Sequence, residues 1–176
     1  MNPQQLHDHI IKHALDCMLG KYNTPEARFM LLCISATESN CGESIKQIGG
    51  PALGIWQMEP DTHDDIFKNC DALKSNEHLI EVLDDALVNL IPGDLNPYST
   101  LIYSPLYACI MARLKLAMTP EPLPSLPTDA NDTQRHYAYY LDHYHGRKAD
   151  GTPAGKATVG HWLEALRKNR ILEVDL

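Results

Sequence analysis

The sequence has no apolar run that approaches the ~20 residues a helix needs to cross a membrane. Its N-terminal segment, MNPQQLHDHIIKH, also lacks the basic start and the apolar centre of a secretory signal peptide. We therefore expect the chain to be made in the cytoplasm without a signal peptide and not to insert into a membrane.

Basic residues are few, with 15 Lys and Arg against 23 Asp and Glu and a net charge of −8. Binding to a phosphate backbone requires clustered Lys and Arg side chains. The weak basic cluster RKNR at 167–170 is typical of a helix end, where the helix dipole favours positive charge. Nucleic acid is therefore not an expected partner, whereas neutral substrates such as sugars remain open.

The five cysteines are odd in number and no CxxC spacing occurs, which argues against a disulfide framework or a zinc knuckle. Cys17, Cys33 and Cys109 lie in apolar helical patterns and are interpreted as small buried hydrophobic residues. A catalytic thiol stays open as an alternative at Cys41 or Cys70.

Metal-binding patterns are also absent, although the chain has nine His. There is no HExxH motif and no His/Asp set with tight ligand spacing. His7, His9 and His13 fall near one another on the first predicted helix, which keeps a metalloenzyme as a minor alternative. We expect no metal and no other cofactor.

The chain does contain helical periodicity, bounded by start and stop residues. Helices are predicted over residues 4–19, 25–38, from 60 or 61 through DTHDDIFKNC, 77–90, from 105 onward, 130–145 and 157–170. The second of these is apolar almost all round, which is typical of a central buried helix. Residues 39–58 are expected to form a loop with at most a small hairpin, so the fold class is mainly α.

Residues 119–128, TPEPLPSLPT, carry four prolines and cannot form a helix. The segment on their C-terminal side is too short to fold alone, so this stretch is interpreted as a surface connection within one domain. No internal repeat is present. We expect residues 1–176 to form a single domain that acts as a monomer.

A carboxylate ends the predicted central helix, since FMLLCISATE at 29–38 finishes on Glu38. Removal from water and the negative end of the helix dipole both favour the protonated form of such a carboxyl group. A Glu that stays protonated near neutral pH is a general acid. The alternative is a last-turn Glu that points into water.

The pair Glu38-Ser39, a loop, and then GPALGIWQMEPDT at 50–62 resemble the lysozyme-like lytic transglycosylases and goose-type lysozymes. Their signature is a Glu-Ser pair, a Gly-Leu-Met-Gln-like turn and a helix that begins with Pro-Thr. Here the turn is GIWQ, with Ile-Trp where Leu-Met is usual, and the helix begins with PDT. The resemblance implies a lysozyme-like helical domain.

A weaker resemblance lies in the tail, where the family has an Ala-Tyr-Asn-Ala-Gly turn before its last core helix. HYAYYLDHYHGRKADGTPAGKATVGHWLEAL at 136–166 resembles this turn with material inserted after the Tyr. Tyr144 and His145 match the Tyr-Asn pair, with His in place of Asn, and Tyr140 is a rival for the Tyr. Together the two resemblances cover roughly residues 25–170.

The resemblance implies a catalytic residue and a set of substrate contacts. Glu38 is the implied catalytic residue, and the implied substrate-binding residues are Ser39, Gly54, Gln57, Tyr144 and His145. Structural alternatives stay open for several of them, such as a helix cap for Ser39 and a core position for Tyr144. Trp56 is either a core anchor or a sugar-stacking ring, and we favour the core.

The family cleaves the β-1,4 bond between N-acetylmuramic acid and N-acetylglucosamine in peptidoglycan, so glycan strands are the implied partner. By resemblance, Glu38 protonates the glycosidic oxygen and then accepts a proton from the C6 hydroxyl of the sugar. The implied product is a 1,6-anhydro ring, formed without water. The enzyme class implied is a lytic transglycosylase.

Hydrolysis by a lysozyme (muramidase) of the same fold is the first alternative, since glycosidases normally use a second carboxylate ~5–9.5 Å from the acid. Glu43 is the possible second carboxylate, with Glu59 and Asp61 less favoured. The second alternative is a non-catalytic glycan-binding or structural virion domain.

The compact chain looks most like the bacteriophage-encoded members of the family. The expected place of action is the bacterial cell wall. The sequence leaves three roles open, which are a lysis enzyme (endolysin), a virion-associated lysin and a secreted effector.

Overall fold

The computed structural model describes residues 1–18, 20–87, 96, 98–155 and 157–176. Over these residues the protein is mainly helical, which confirms the predicted class. The finer assignment, a lysozyme-like domain, stays a prediction.

The helices follow one another in the order of the sequence predictions. They are α1 (Pro3–Leu6), a π-helical turn (His7–Ile11), α2 (Lys12–Cys17), a 3-10 turn (Gly20–Tyr22), α3 (Pro25–Ser39), α4 (Pro60–Asn69), α5 (Asp71–Lys74), α6 (Glu77–Leu87), α7 (Thr100–Tyr103), α8 (Pro105–Ala117), a 3-10 turn (Asn131–Thr133), α9 (Gln134–Tyr140), a second π-helical turn (Leu141–His145), α10 (Val159–Lys168) and a 3-10 turn (Ile171–Glu173). Strand pairing in the described residues is limited to isolated bridges.

The central helix α3 begins and ends as its sequence dictates. The Thr24 hydroxyl accepts a hydrogen bond from the backbone N–H of Ala27 at 3.2 Å, and Pro25 occupies the first helical position. The helix ends at Asn40, whose φ of +52° is the left-handed conformation that Asn tolerates well. Nearly the whole helix between these ends is buried, which confirms the prediction of a central helix.

The loop between α3 and α4 contains the predicted small hairpin in reduced form. Two antiparallel bridges, Lys46 with Leu53 and Leu53 with Met58, fold the segment back on itself. The Trp56 indole N–H donates to the Leu31 carbonyl at 2.9 Å, and the side chain is 1% exposed. Trp56 is therefore the core anchor that the sequence favoured, and it fixes this loop against α3.

Two predicted helices are composites, and the first, over 4–19, consists of α1, a π-helical turn and α2. The predicted helix over 130–145 is a composite of a 3-10 turn, α9 and a π-helical turn. Residues 119–128 contain no helix and are mostly exposed, as their prolines predict. The predicted ends of two helices, at residues 19 and 90, and most of the IPGDLNP turn lie outside the described residues.

The core brings together apolar side chains from most of these helices, and α3 packs against both α8 and α10. The loop after α3 and the second π-helical turn meet through the hydrogen bond of the Tyr144 hydroxyl to the Trp56 carbonyl. Among the residues that the structure describes, no helix is long and apolar enough to cross a membrane.

Candidate active site

Glu38 lies in the last turn of α3, at the edge of the core. Its side chain is 16% exposed, so the carboxyl group is largely removed from water but can still be reached from outside. The predicted alternative, a Glu that points freely into solvent, does not fit this burial.

Two side chains from the distant α9 region hold one oxygen of this carboxyl group. The Tyr140 hydroxyl donates to Glu38 Oε1 at 2.6 Å, and His145 Nδ1 lies 3.1 Å from the same oxygen. Tyr140 Oη and His145 Nδ1 are themselves 2.9 Å apart, which closes a three-membered cluster. No hydrogen bond from the described residues falls on Oε2, so that oxygen is left for a ligand.

The second ring nitrogen of His145 fixes the position of a proton. Nε2 lies 2.8 Å from the Ala154 carbonyl oxygen, which can only accept, so Nε2 carries a hydrogen. Nδ1 is then an acceptor in the neutral ring and a donor in the imidazolium. Glu38 and His145 can therefore hold one proton between them. Either Glu38 carries it on Oε2 beside a neutral imidazole, or His145 Nδ1 carries it as an imidazolium that faces Oε1.

The electrostatics of the cluster follow from these contacts. The hydrogen bond to Glu38 raises the pKa of His145 above its usual value, although burial opposes the shift. Burial, followed by the charge of Glu38, raises the pKa of Tyr140, so its phenol stays protonated and remains a donor. Burial likewise raises the pKa of Tyr144.

The π-helical turn Leu141–His145 explains how two residues five apart reach the same carboxylate. In a regular α-helix, residues i and i+5 are rotated by about 140° from each other. The wider turn brings His145 round towards Tyr140, and Gly146, with φ +93°, ends the helix immediately afterwards. Turns of this kind are frequent at functional sites.

Glu38 opens into a groove of about 400 Å³, called the main groove here. Its polar lining includes Glu38, Gln57, Glu59, Lys115, Tyr144 and His145. The Tyr144 hydroxyl donates to the Trp56 carbonyl at 2.8 Å, so this ring joins the π-helical turn to the loop after α3. Both rival tyrosines therefore lie at the site, with Tyr140 bound to Glu38 and Tyr144 in the groove wall.

A second cleft of about 400 Å³, called the side cleft here, also includes Glu38 in its lining. It lies between the end of α3 and α10, and its charged or polar lining includes His161, Glu164 and Lys168. Glu38 thus stands where two clefts meet.

Ser39 is buried, and its hydroxyl makes only backbone contacts. It donates towards the carbonyl oxygens of Ile55 at 2.5 Å and Ser35 at 3.1 Å, and it accepts from the Gly42 N–H at 2.9 Å. These contacts join the end of α3 to the GIWQ turn. The structure therefore gives Ser39 a positioning role in that turn, with its one donor hydrogen engaged and its hydroxyl buried away from a sugar.

Gly54 and Gln57 stand at the two ends of the GIWQ turn, and both have positive φ. A Cβ on Gly54 would lie 2.3 Å from the Leu101 carbonyl oxygen, so the close backbone approach that its sequence implied is to Leu101. Gln57 lines the main groove, and its side-chain amide donates to the carbonyl oxygens of Gly54 at 2.8 Å and Ser44 at 3.2 Å. Its amide oxygen receives no hydrogen bond from the described residues.

Glu43 lines neither cleft, although it contacts two residues that line the side cleft. Its side chain is 66% exposed, it accepts a hydrogen bond from the Asn40 amide, and Lys168 Nζ is 3.8 Å away. Of the described residues that line the main groove, Glu59 is the only carboxylate besides Glu38, and it is exposed.

Sequence reasoning did not identify Lys115, Glu164 and His161 as lining residues, and it ranked Tyr140 second to Tyr144. Lys115 is signalled only as one of two basic positions on a largely apolar α8. The aromatic run HYAYYLDHYH does indicate a Tyr-rich wall. Which of its tyrosines faces Glu38 depends on the π-helical turn, which cannot be predicted from the sequence.

The thiol alternative is disfavoured by burial, because Cys41 and Cys70 are both 0% exposed. Burial also raises the pKa of Cys41, which disfavours the reactive thiolate. Over the described ranges, no three His, Cys, Asp or Glu side chains come together as a metal site.

Comparison with known proteins adds no relative, since no family model, curated protein or solved structure matches the chain significantly.

Proposed function

We propose that this protein is a peptidoglycan-cleaving lytic transglycosylase in which Glu38 acts as the catalytic acid and then as the base. The observation that carries the proposal is the placement of Glu38, whose largely buried carboxyl group opens into a groove while Tyr140 and His145 hold one of its oxygens. The substrate, peptidoglycan, is inferred from the resemblance of the flanking Glu-Ser pair and GIWQ turn to the motifs of lytic transglycosylases.

The first step is protonation of the glycosidic oxygen between N-acetylmuramic acid and N-acetylglucosamine. Since Oε1 is occupied by Tyr140 and His145, Oε2 is the atom that delivers the proton. The C1–O bond then breaks, and both electrons of the bond leave with the newly protonated oxygen. Protonation of a leaving group by a positioned acid contributes about 10²–10⁴-fold to a rate.

In the second step Glu38, now a carboxylate, accepts the proton of the C6 hydroxyl, whose oxygen closes on C1 to form the 1,6-anhydro ring. The Tyr140 hydroxyl donates to the carboxylate throughout. His145 is neutral at this stage, because the proton that it shared with Glu38 has left with the glycosidic oxygen. The proton that Glu38 loses in the first step is thus regained in the second.

The groove favours transglycosylation over hydrolysis because it offers no second buried carboxylate within its described lining. Glu43 is exposed and lies outside the groove, and Glu59 is exposed at its edge. A hydrolase that positions an attacking water with a second carboxylate would use an exposed one here, either Glu59 in the main groove or Glu164 in the side cleft.

The two clefts that meet at Glu38 suit a polymer that passes through the site. Each has a volume of about 400 Å³, and the cleaved bond would lie between them. We therefore propose internal cleavage of glycan strands. A purely structural or glycan-binding protein would not require a carboxyl group that two side chains hold between two clefts.

The test is digestion of purified peptidoglycan by the wild type and by Glu38→Gln, with release of soluble fragments as the readout. The amide keeps the size of the carboxyl group but cannot deliver a proton. We expect the variant to bind peptidoglycan as the wild type does and to lose cleavage by about 10²–10⁴-fold. Wild-type cleavage by Glu38→Gln would overturn the proposal, and binding without cleavage by the wild type would favour the glycan-binding alternative.

A further inference from the structure

A third pocket, away from Glu38, contains a buried cation. It has a volume of about 370 Å³ and lies between the start of α3, the end of α8 and the proline-rich connection. Lys21, Glu26, Arg113, Glu121, Ser125 and Tyr139 are among its lining residues. Lys115, two residues beyond Arg113 on α8, lines the main groove instead, because residues i and i+2 point to different sides of a helix.

Arg113 is 7% exposed, which is unusual for a charged side chain without a carboxylate partner. Its Nε donates to the Tyr22 carbonyl at 3.0 Å, and the guanidinium carbon lies 5.3 Å from the centre of the Tyr22 ring. No carboxylate of the described residues lies within 4 Å of it, and no other hydrogen bond from its guanidinium is made within them. Burial lowers the pKa of Arg113, which is the direction expected for an uncompensated cation.

A second cation lies near the same ring and also lines the pocket. Lys21 Nζ lies 5.2 Å from the centre of the same Tyr22 ring, and it too has no carboxylate within 4 Å in the described part of the chain. Since both cations line the pocket, both can attract an anion that enters it. The pocket also lies at the N-terminal end of α3, where the helix dipole favours negative charge.

The two acidic side chains at the pocket do not neutralise this pair. Glu121 is exposed, and its carboxylate lies 3.0 Å from His143 Nε2. Glu26 is in the first turn of α3, where it interacts favourably with the helix dipole. The terminal nitrogens of Arg113 are therefore available to a ligand that enters the pocket.

We propose that this pocket is a binding site for a small oxyanion, a carboxylate or a phosphate group, gripped by Arg113 and assisted by Lys21. The guanidinium presents parallel N–H groups that match two oxygens of either anion. The proposal is independent of the reaction at Glu38, since none of these residues lines the main groove or the side cleft.

The test is a titration of the full-length protein with inorganic phosphate or sodium acetate at constant ionic strength, followed by the amide NMR shifts of Glu26, Leu123 and Tyr139. We expect these shifts to saturate with a common dissociation constant for at least one anion, and the two arms separate a phosphate site from a carboxylate site. Arg113→Gln is expected to weaken binding at least about tenfold. Arg167→Gln, which removes the same charge from an exposed position, should bind like the wild type.

A second variant tests the proposal even if Arg113→Gln does not fold. Ser125 is exposed and lines the pocket, so Ser125→Glu adds a competing carboxylate without disturbing the core. It should weaken binding at least about tenfold as well. The proposal fails if neither anion gives saturating shifts, or if binding is unchanged in Ser125→Glu or in a folded Arg113→Gln.

Discussion

The Tyr140 hydroxyl donates a 2.6 Å hydrogen bond to Glu38 Oε1, although the two residues are 102 positions apart. Tyr140 is 1% exposed, so this bond lies at the boundary between the core and the groove. It ties the end of α3 to the end of α9 and directs the free oxygen of the carboxyl group. The proposed chemistry of the site depends on this pair.

Tyr140→Phe removes that hydroxyl while keeping the ring. We expect cleavage to fall at least about tenfold, because Glu38 loses a donor that stabilises it as a carboxylate, and stability to fall by about 1–3 kcal/mol. Tyr137→Phe is the matched control, since its hydroxyl donates to the Ala157 carbonyl at 2.9 Å, outside both clefts. Peptidoglycan cleavage and urea unfolding should show a stability loss in both variants and an activity loss in Tyr140→Phe alone.

His145 should set the alkaline limit of activity. Cleavage needs the one proton that Glu38 and His145 share, and the raised pKa of His145 keeps that proton bound to a higher pH than in an unperturbed imidazole. In His145→Gln the alkaline limb of the pH–rate profile should therefore move to lower pH. His143→Gln, which removes a contact to the exposed Glu121, should leave it in place.

The same pair predicts a pH dependence of stability. Because the pKa of His145 is raised on folding, its contribution is fully present below the unfolded value near 6.5 and is lost as pH rises through the folded value. The difference in unfolding free energy between wild type and His145→Gln should therefore be larger at pH 6 than at pH 9. A difference that grows with pH would contradict the assigned direction.

The sequence predicted the longer helices and the position of Glu38 at the end of α3 well, because both depend on local signals, but it missed the short helices α5 and α7. Thr24-Pro25 starts α3, the apolar run makes it central, and the polar pair Ser39-Asn40 ends it. Local signals could not predict the π-helical turn that follows α9. Whether Tyr140 or Tyr144 meets Glu38 depends on one widened turn and on how α9 packs across α3, and these are tertiary effects.

The role of Ser39 illustrates a second limit. The Glu-Ser pair suggested a substrate contact, but the hydroxyl is buried in three backbone contacts. Ser39→Ala should destabilise the protein by about 1–3 kcal/mol, because the Ile55 carbonyl and the Gly42 N–H lose their hydrogen bonds to the hydroxyl. Below the unfolding temperature the affinity for glycan strands should not change, and a weaker affinity with unchanged stability would restore the substrate-contact interpretation.

Gly54 is predicted to be required by the fold. Gly54→Ala forces a Cβ against the Leu101 carbonyl oxygen and is expected to cost about 3 kcal/mol or more. Gly49→Ala has a similar positive φ of +74° but open space around it, so its cost should be about 1 kcal/mol. Thermal unfolding of the two variants separates the effect of the clash from that of backbone strain. Equal losses of stability in the two variants would contradict a contribution from the clash.

The most direct measurement of the central claim is mass analysis of the glycan ends released from purified peptidoglycan by the wild type, Glu38→Gln and Glu43→Gln. Transglycosylation predicts anhydro ends, about 18 Da lighter than reducing ends because no water is added. We expect them from the wild type and from Glu43→Gln, with at least about 10²-fold fewer from Glu38→Gln. Reducing ends from the wild type would contradict transglycosylation, and undiminished release by Glu38→Gln would contradict the assignment of Glu38 as the catalytic acid.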